Sequence, residues 1–164
     1  MPLNAEETAR SVAAPSLDVT VVIAARPDVV MKAFFDPDAL RAWWQVARSV
    51  TTPRPLGPYA LEWVPTELRD EVLGRLGGVF RGTIVEYRDG QGFLVADAVW
   101  LPPDGEPIGP MALHVTFRPE GEGSTRIRVT QTGYEESGRW RRYYEVIELG
   151  WLRALASLQS LLER

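Results

Sequence analysis

His114 is the only imidazole in the chain, and cysteine is absent. Any Ser-His-Asp chemistry would have to run through that one residue, and thiolate chemistry has no nucleophile at all. His114 lies in the alternating run 111–118, where Met111, Leu113, Val115 and Phe117 share one face. It shares the opposite face with Ala112, Thr116 and Arg118, so a strand of period two turns it toward solvent and no catalytic residue is assigned. The acidic pairs Asp70-Glu71 and Glu135-Glu136 fall in loops, where they read as hydrated carboxylates rather than metal ligands. Gly121-Glu122-Gly123-Ser124 lacks the lysine and the strand-to-helix setting of a phosphate loop and reads as a hairpin turn. Neither a metal nor a cofactor is expected.

More informative are polar residues in phase with apolar ones. Asp97 shares a strand face with Phe93, Val95 and Val99, yet the other face, Leu94, Ala96, Ala98 and Trp100, is equally apolar, so alternation leaves both orientations open. Turned inward, Asp97 would have a raised pKa and become a general acid/base candidate; turned outward, it is an exposed carboxylate. Gln131 follows Ile127 and Val129 inward and could orient a ligand. Tyr87 and Tyr144 could do the same or pack as core. Six tryptophans and five tyrosines in a chain of this size could line a pocket for a flat or greasy molecule, or fill it. The candidate ligand-binding set is therefore Trp43, Trp63, Tyr87, Val95, Asp97, Phe117, Gln131, Tyr144, Ile147 and Trp151.

The elements that must position these residues begin from the end of the chain. Between Ser137 and Arg164, Tyr144, Ile147, Trp151, Leu155, Leu158 and Leu162 recur at steps of three or four, with charged residues mostly between them. That spacing predicts one long amphipathic helix with a dry face in need of a large apolar partner. Trp140 and Tyr143 lie off this stripe, where they could support a homodimer or pack on the preceding loop. Upstream, 17–24 is a strand with Leu17, Val19, Val21 and Ile23 inward. Pro27-Asp28 opens a helix whose apolar side is Val29, Val30, Ala33, Phe34 and Phe35, and Asp36-Pro37 stops it. A second short helix carries Leu40, Trp43 and Trp44. Strands follow at 45–52, 59–64, 79–88, 93–100, 111–118 and 124–132, the later ones joined by Asp89-Gly90 and by the glycine-rich 119–123 turn. Residues 67–76 are expected to form a turn of helix ended by Gly77-Gly78. Short turns make consecutive strands antiparallel. Residues 1–16 read as a leader, with Asn4 and Glu7 suited to cap a short helix, and 17–164 as one domain.

Composition narrows the function classes. A chain of 164 residues with 45% hydrophobic content forms one ordinary core. A net charge of -4 supplies no basic field for a nucleic-acid backbone. The longest apolar runs are too short to span a bilayer, and the first residues lack the apolar segment of a secretory signal. Membrane insertion is not expected, and the lack of cysteine fits a cytoplasmic protein.

Four motifs in order then carry a resemblance. Asp36-Pro37-Asp38-Ala39-Leu40 through Trp43-Trp44, Gly82-Thr83-Ile84-Val85-Glu86-Tyr87, the run from Ser124 to Tyr134, and Gly150-Trp151 with the leucines after it resemble the START-like, or SRPBCC, superfamily. The subgroup is the one related to activators of the ninety-kilodalton heat-shock chaperone's ATPase. The similarity runs from about Leu17 to Leu162. It implies the α+β helix-grip fold of the birch-pollen-allergen proteins, in which a curved sheet of about seven antiparallel strands grips the C-terminal helix around a cavity. It differs at Gly57-Pro58, where the family often has paired glycines, and at residues 65–78, which are longer than usual; both lie where loops rim the cavity in this fold. The expected function is binding of a small hydrophobic or aromatic molecule, with loops 53–58, 65–78 and 101–110 moving to admit it. The superfamily also contains enzymes of the polyketide cyclase or hydratase type, for which Asp97, Tyr87 or Gln131 would supply the groups, and the subgroup's name suggests a chaperone accessory.

Overall fold

The computed structural model describes residues 16–133 and 135–164; the expected leader helix at Asn4 lies outside the described residues, as does Tyr134. Strand β1 (Leu17–Ile23) is followed by helices α1 (Pro27–Lys32) and α2 (Pro37–Trp44), then by β2 (Arg48–Thr51) and β3 (Pro58–Trp63). Two short strands, β4 (Arg69–Asp70) and β5 (Gly74–Arg75), precede the long strands β6 (Gly78–Arg88), β7 (Gly92–Leu101), β8 (Ile108–Pro119) and β9 (Thr125–Thr132), and α3 (Gly138–Leu162) closes the chain. Seven strands form one sheet in the order β1-β9-β8-β7-β6-β3-β2, antiparallel at every pairing. This is the helix-grip architecture. No helix among the described residues is long and apolar enough to cross a membrane.

Local chemistry sets the helix bounds. Proline occupies the first turn of α1 and α2, where its missing N–H has no partner to lose. The Asp36 carboxylate accepts from the Asp38 amide at 3.0 Å, capping α2, and Gln45 ends it in the left-handed conformation at φ 58°. Of the expected apolar side of α1, Val30 is buried, as are Ala33, Phe34 and Phe35 just after the helix, whereas Val29 is exposed and Met31 is buried in addition. The Ser137 hydroxyl accepts from the Trp140 amide at 3.2 Å to start α3. At the far end of α3, Glu163 accepts from the Ala24 amide at 2.9 Å, which ties the helix to the edge after β1. Tyr144, Trp151, Leu155 and Leu158 are buried as the periodicity predicts. Trp140 and Tyr143 are buried too. They belong to the chain's own interior, so the surface that suggested a homodimer is absent.

Two local expectations are corrected. Residues 67–76 form the β4–β5 hairpin, not a turn of helix. Asp70 Oδ2 accepts from the amides of Val72 and Leu73, each at 3.0 Å, and Gly74 takes φ 79°. A carboxylate that holds two following amides offers the backbone a turn in competition with the helix ladder.

The second correction concerns Asp97, which is exposed and sits at φ 51°. From Val95 to Ala98 β7 advances three residues while β8 advances two, from Leu113 to Met111. The same surplus faces β6, where Ala96 pairs with Thr83 and Val99 with Arg81. This is a β-bulge, and the left-handed aspartate absorbs the extra residue. The bulge reverses the alternation: Phe93 and Val95 face inward before it, Ala98 and Trp100 after it. Opposite lies Gly82, where a Cβ would stand 2.6 Å from Val95 Cγ1, so the bulged strand can approach only a bare backbone.

Candidate functional site

The inner face of the sheet is divided between two aromatic groups. Under α1, Phe34, Phe35, Tyr59, Phe93 and Phe117 pack edge to face and tilted, for example Phe35 on Phe93 at 4.9 Å and Phe34 on Phe117 at 5.3 Å. The Tyr59 hydroxyl donates to the Phe34 carbonyl at 2.8 Å. This half is solid. The second group, under the first half of α3, surrounds a hollow of about 140 Å³ lined by Trp44, Trp63, Phe80, Trp100, Leu113, Gln131, Tyr143, Ile147, Gly150 and Trp151.

Each wall residue is held by an identifiable contact. Trp44 stacks on Trp43 at 4.9 Å and meets Trp63 at 5.3 Å and Trp151 at 4.5 Å. The Trp63 indole N–H donates to the Trp44 carbonyl at 2.9 Å, and that of Trp100 to the Gly77 carbonyl at 2.8 Å. With their polar edges bound to backbone, these rings present apolar surface to the hollow. Tyr143 stacks on Trp100 at 5.4 Å, and its hydroxyl accepts from Gln131 Nε2 at 2.9 Å. Burial pushes the Tyr143 phenol pKa well above its ordinary value. A wider outer hollow of about 510 Å³ adjoins this one and shares Trp63, Trp100, Tyr143, Ile147 and Gly150 with it; Leu73, Leu76 and Gly77 form its far side.

Of the residues chosen from the sequence, Trp63, Gln131, Ile147 and Trp151 stand on this wall. The others do not. Trp43 is buried beneath Trp44 and donates to the Ala33 carbonyl at 2.9 Å. Val95 and Phe117 are buried core. Tyr87 packs on Phe35 at 5.8 Å, at the solid end, and Tyr144 donates to the Gly133 carbonyl. Asp97 points away from the interior at its bulge. The sequence reading missed Trp44, Phe80, Trp100, Leu113, Tyr143 and Gly150. The signal for Tyr143 was its place four residues before Ile147, on the helical face that also carries Gly150 and Trp151. His114 is exposed, as its alternation predicts, in a groove on the outer face of the sheet with Asp18, Arg118 and Arg128. Among the described residues no group of three acidic or imidazole side chains could hold a metal ion.

The rim of the hollow is tied by ion pairs. Arg142 of α3 meets Asp70 of the hairpin at 2.7 Å, and Asp104 of the 102–107 loop meets Arg75 at 3.0 Å and Arg69 at 3.8 Å. Loops 65–78 and 101–110 therefore do meet at the mouth. Loop 53–58 does not, because it precedes β3 while the wall residue Trp63 ends that strand, roughly 17 Å away at strand rise. The Arg142 guanidinium holds the Asp70 carboxyl below its ordinary range. The latch therefore contributes fully above the unfolded-state value of about 3.9 and is lost as pH falls through the lower folded value. Arg142→Ala is expected to speed amide exchange across residues 66–76 at neutral pH, at a stability cost of about 1 kcal/mol for this partly exposed pair. Unchanged exchange there would show that packing of Leu73, not the ion pair, holds the hairpin down.

The family model described as activator of Hsp90 ATPase homolog 1-like protein matches residues 24–163. No curated protein matches the sequence. Among solved structures, a Mesorhizobium loti protein superposes with a TM-score of 0.68 at 19% identity, covering 91% of this chain and 97% of that one. A Chromobacterium violaceum protein gives 0.64 at 23%, covering 91% and 98%. DynU16, a protein of the dynemicin biosynthetic locus, gives 0.60 at 19%, covering 91% of this chain and 47% of its own. At these identities the likeness is one of fold.

Proposed function

We propose, from the premise that this chain belongs to the activator of Hsp90 ATPase homolog 1-like family within the START-like superfamily, that it binds a small hydrophobic or aromatic molecule between the sheet and α3. The observation that carries this reading is a hollow of about 140 Å³ walled by four tryptophans and a tyrosine and adjoining a wider outer one. A concave apolar wall with few polar groups is the usual form of a small-molecule site. An apolar void of that volume costs stability unless something occupies it, which favours an occupant.

Among the described residues the wall carries no carboxylate and no imidazole. Proton transfer of the cyclase or hydratase kind would have to rely on Tyr143, whose phenol is held in its neutral form by burial. That chemistry supports binding over turnover. The test is native mass spectrometry of the purified chain against its denatured mass, followed by thermal shifts with single-ring and fatty ligands. A retained adduct, or a melting temperature that climbs with ligand concentration, is the expected result. A bare mass with no shift across the series would refute the proposal.

A further inference from the structure

Gln131 and Tyr143 are 2% and 4% exposed, and both stand on the wall of the inner hollow. Their hydrogen-bond inventory does not close. Gln131 Nε2 donates to the Tyr143 hydroxyl at 2.9 Å and to Met111 Sδ at 3.3 Å, which uses both amide hydrogens and one lone pair of the tyrosine oxygen. Among the described residues, Gln131 Oε1 then has no donor and the Tyr143 O–H has no acceptor. Turning the amide over would set Oε1 against the Met111 sulfur, which has no hydrogen to give, and leave both amide N–H groups without a partner, so the orientation given is the better satisfied one. One acceptor, Gln131 Oε1, and one donor, the Tyr143 O–H, therefore stand side by side with no partner among the described residues, on an otherwise apolar wall. Native interiors rarely leave such groups unpaired.

Resting on the binding function proposed above, we infer that this pair is the recognition element of the site, and that its ligand is a neutral single-ring aromatic carrying one group that both donates and accepts, a phenolic hydroxyl in the simplest case. Three observations fix the class. The inner hollow, at about 140 Å³, is close to an engineered cavity of about 150 Å³ that admits benzene. The indoles of Trp44, Trp63, Trp100 and Trp151 offer apolar ring surface on several sides. Among the described residues no charged side chain lines the hollow, so a carboxylate or ammonium would be desolvated without a counter-charge. A phenol stays neutral, donates to Gln131 Oε1 and accepts from the Tyr143 O–H, closing both open valences with one atom. A ketone or ether would answer only the donor, and a hydrocarbon neither.

The experiment is a titration of the whole chain with 4-methylphenol and with toluene, nearly equal in size, followed by tryptophan fluorescence and repeated on Gln131→Met and Tyr143→Phe. Both substitutions keep volume and remove one polar partner. The wild-type chain is expected to bind both probes, and the affinity ratio of 4-methylphenol to toluene is expected to fall by about ten-fold in each variant, the effect of losing a buried neutral hydrogen bond. If both probes bind and the ratio is the same in all three proteins, the pair has no recognition role, while the cavity reading stands. If neither probe binds the wild-type chain, the cavity reading itself falls and this inference with it. Two variants guard against a folding defect in one, and toluene affinity reports in each case whether the hollow has survived.

Discussion

Gly150→Leu is expected to lower the affinity for any ligand of the inner hollow by at least about a hundred-fold while raising the melting temperature. Gly150 lies in the middle of α3 and lines both hollows, and a Cβ built on it meets no atom within 4 Å. A glycine inside a helix costs roughly 1 kcal/mol relative to a good helix former, and α3 carries that cost at the point where a side chain would enter the ligand space. Leucine at 150 would repay the propensity, shifting the melting temperature up by about 2–4 °C in a chain of this length, and would put a bulky side chain at a position that lines both hollows. Calorimetric titration with toluene, read beside a thermal melt, separates the two effects. Undiminished binding in a folded variant would place the ligand elsewhere.

Trp43→Ala is the substitution expected to damage the fold most. The ring is 2% exposed, touches Phe34 at 5.0 Å and Trp44 at 4.9 Å, and gives its N–H to the Ala33 carbonyl. Removing it opens a large void and leaves that carbonyl unpaired, at a cost of about 3–5 kcal/mol. That is a large share of the roughly 5–15 kcal/mol typical of a whole domain. Urea unfolding followed by far-ultraviolet circular dichroism should show the midpoint fall accordingly. A cost below about 1 kcal/mol would mean that α2 does not anchor the packed half of the sheet.

These residues also show what the sequence can and cannot say. Strictly alternating stretches, β1, β9 and residues 111–118 of β8, expose and bury the expected residues because a period of two leaves no other arrangement beside one apolar layer. The stripe on α3 was legible for the same reason, at 3.6 residues per turn. Asp97 was not, since a bulge is a property of two strands in register, and a run apolar on both faces gives no warning that its phase reverses. Neighbours on a helix posed a related difficulty. Trp43 and Trp44 differ by 100° of rotation, and only the position of α2 over the sheet decides that the first is buried and the second faces the hollow. The hairpin at 69–75 was misread because its decisive bond, from the Asp70 carboxylate to two following amides, is a side-chain choice that residue propensities average away.

The division of the inner face into a packed half and a hollow half separates two kinds of evolutionary freedom. Exchanges among Phe34, Phe35, Tyr59, Phe93 and Phe117 are met by a loss of stability, because every ring there touches several others. Exchanges at Phe80, Leu113 or Ile147 border open space, so a change of one or two methyl groups is absorbed as a new cavity shape. A lineage built on this scaffold can therefore drift from one small molecule to another by single steps, each of them folded, with the selection on foldability acting at the other end of the sheet.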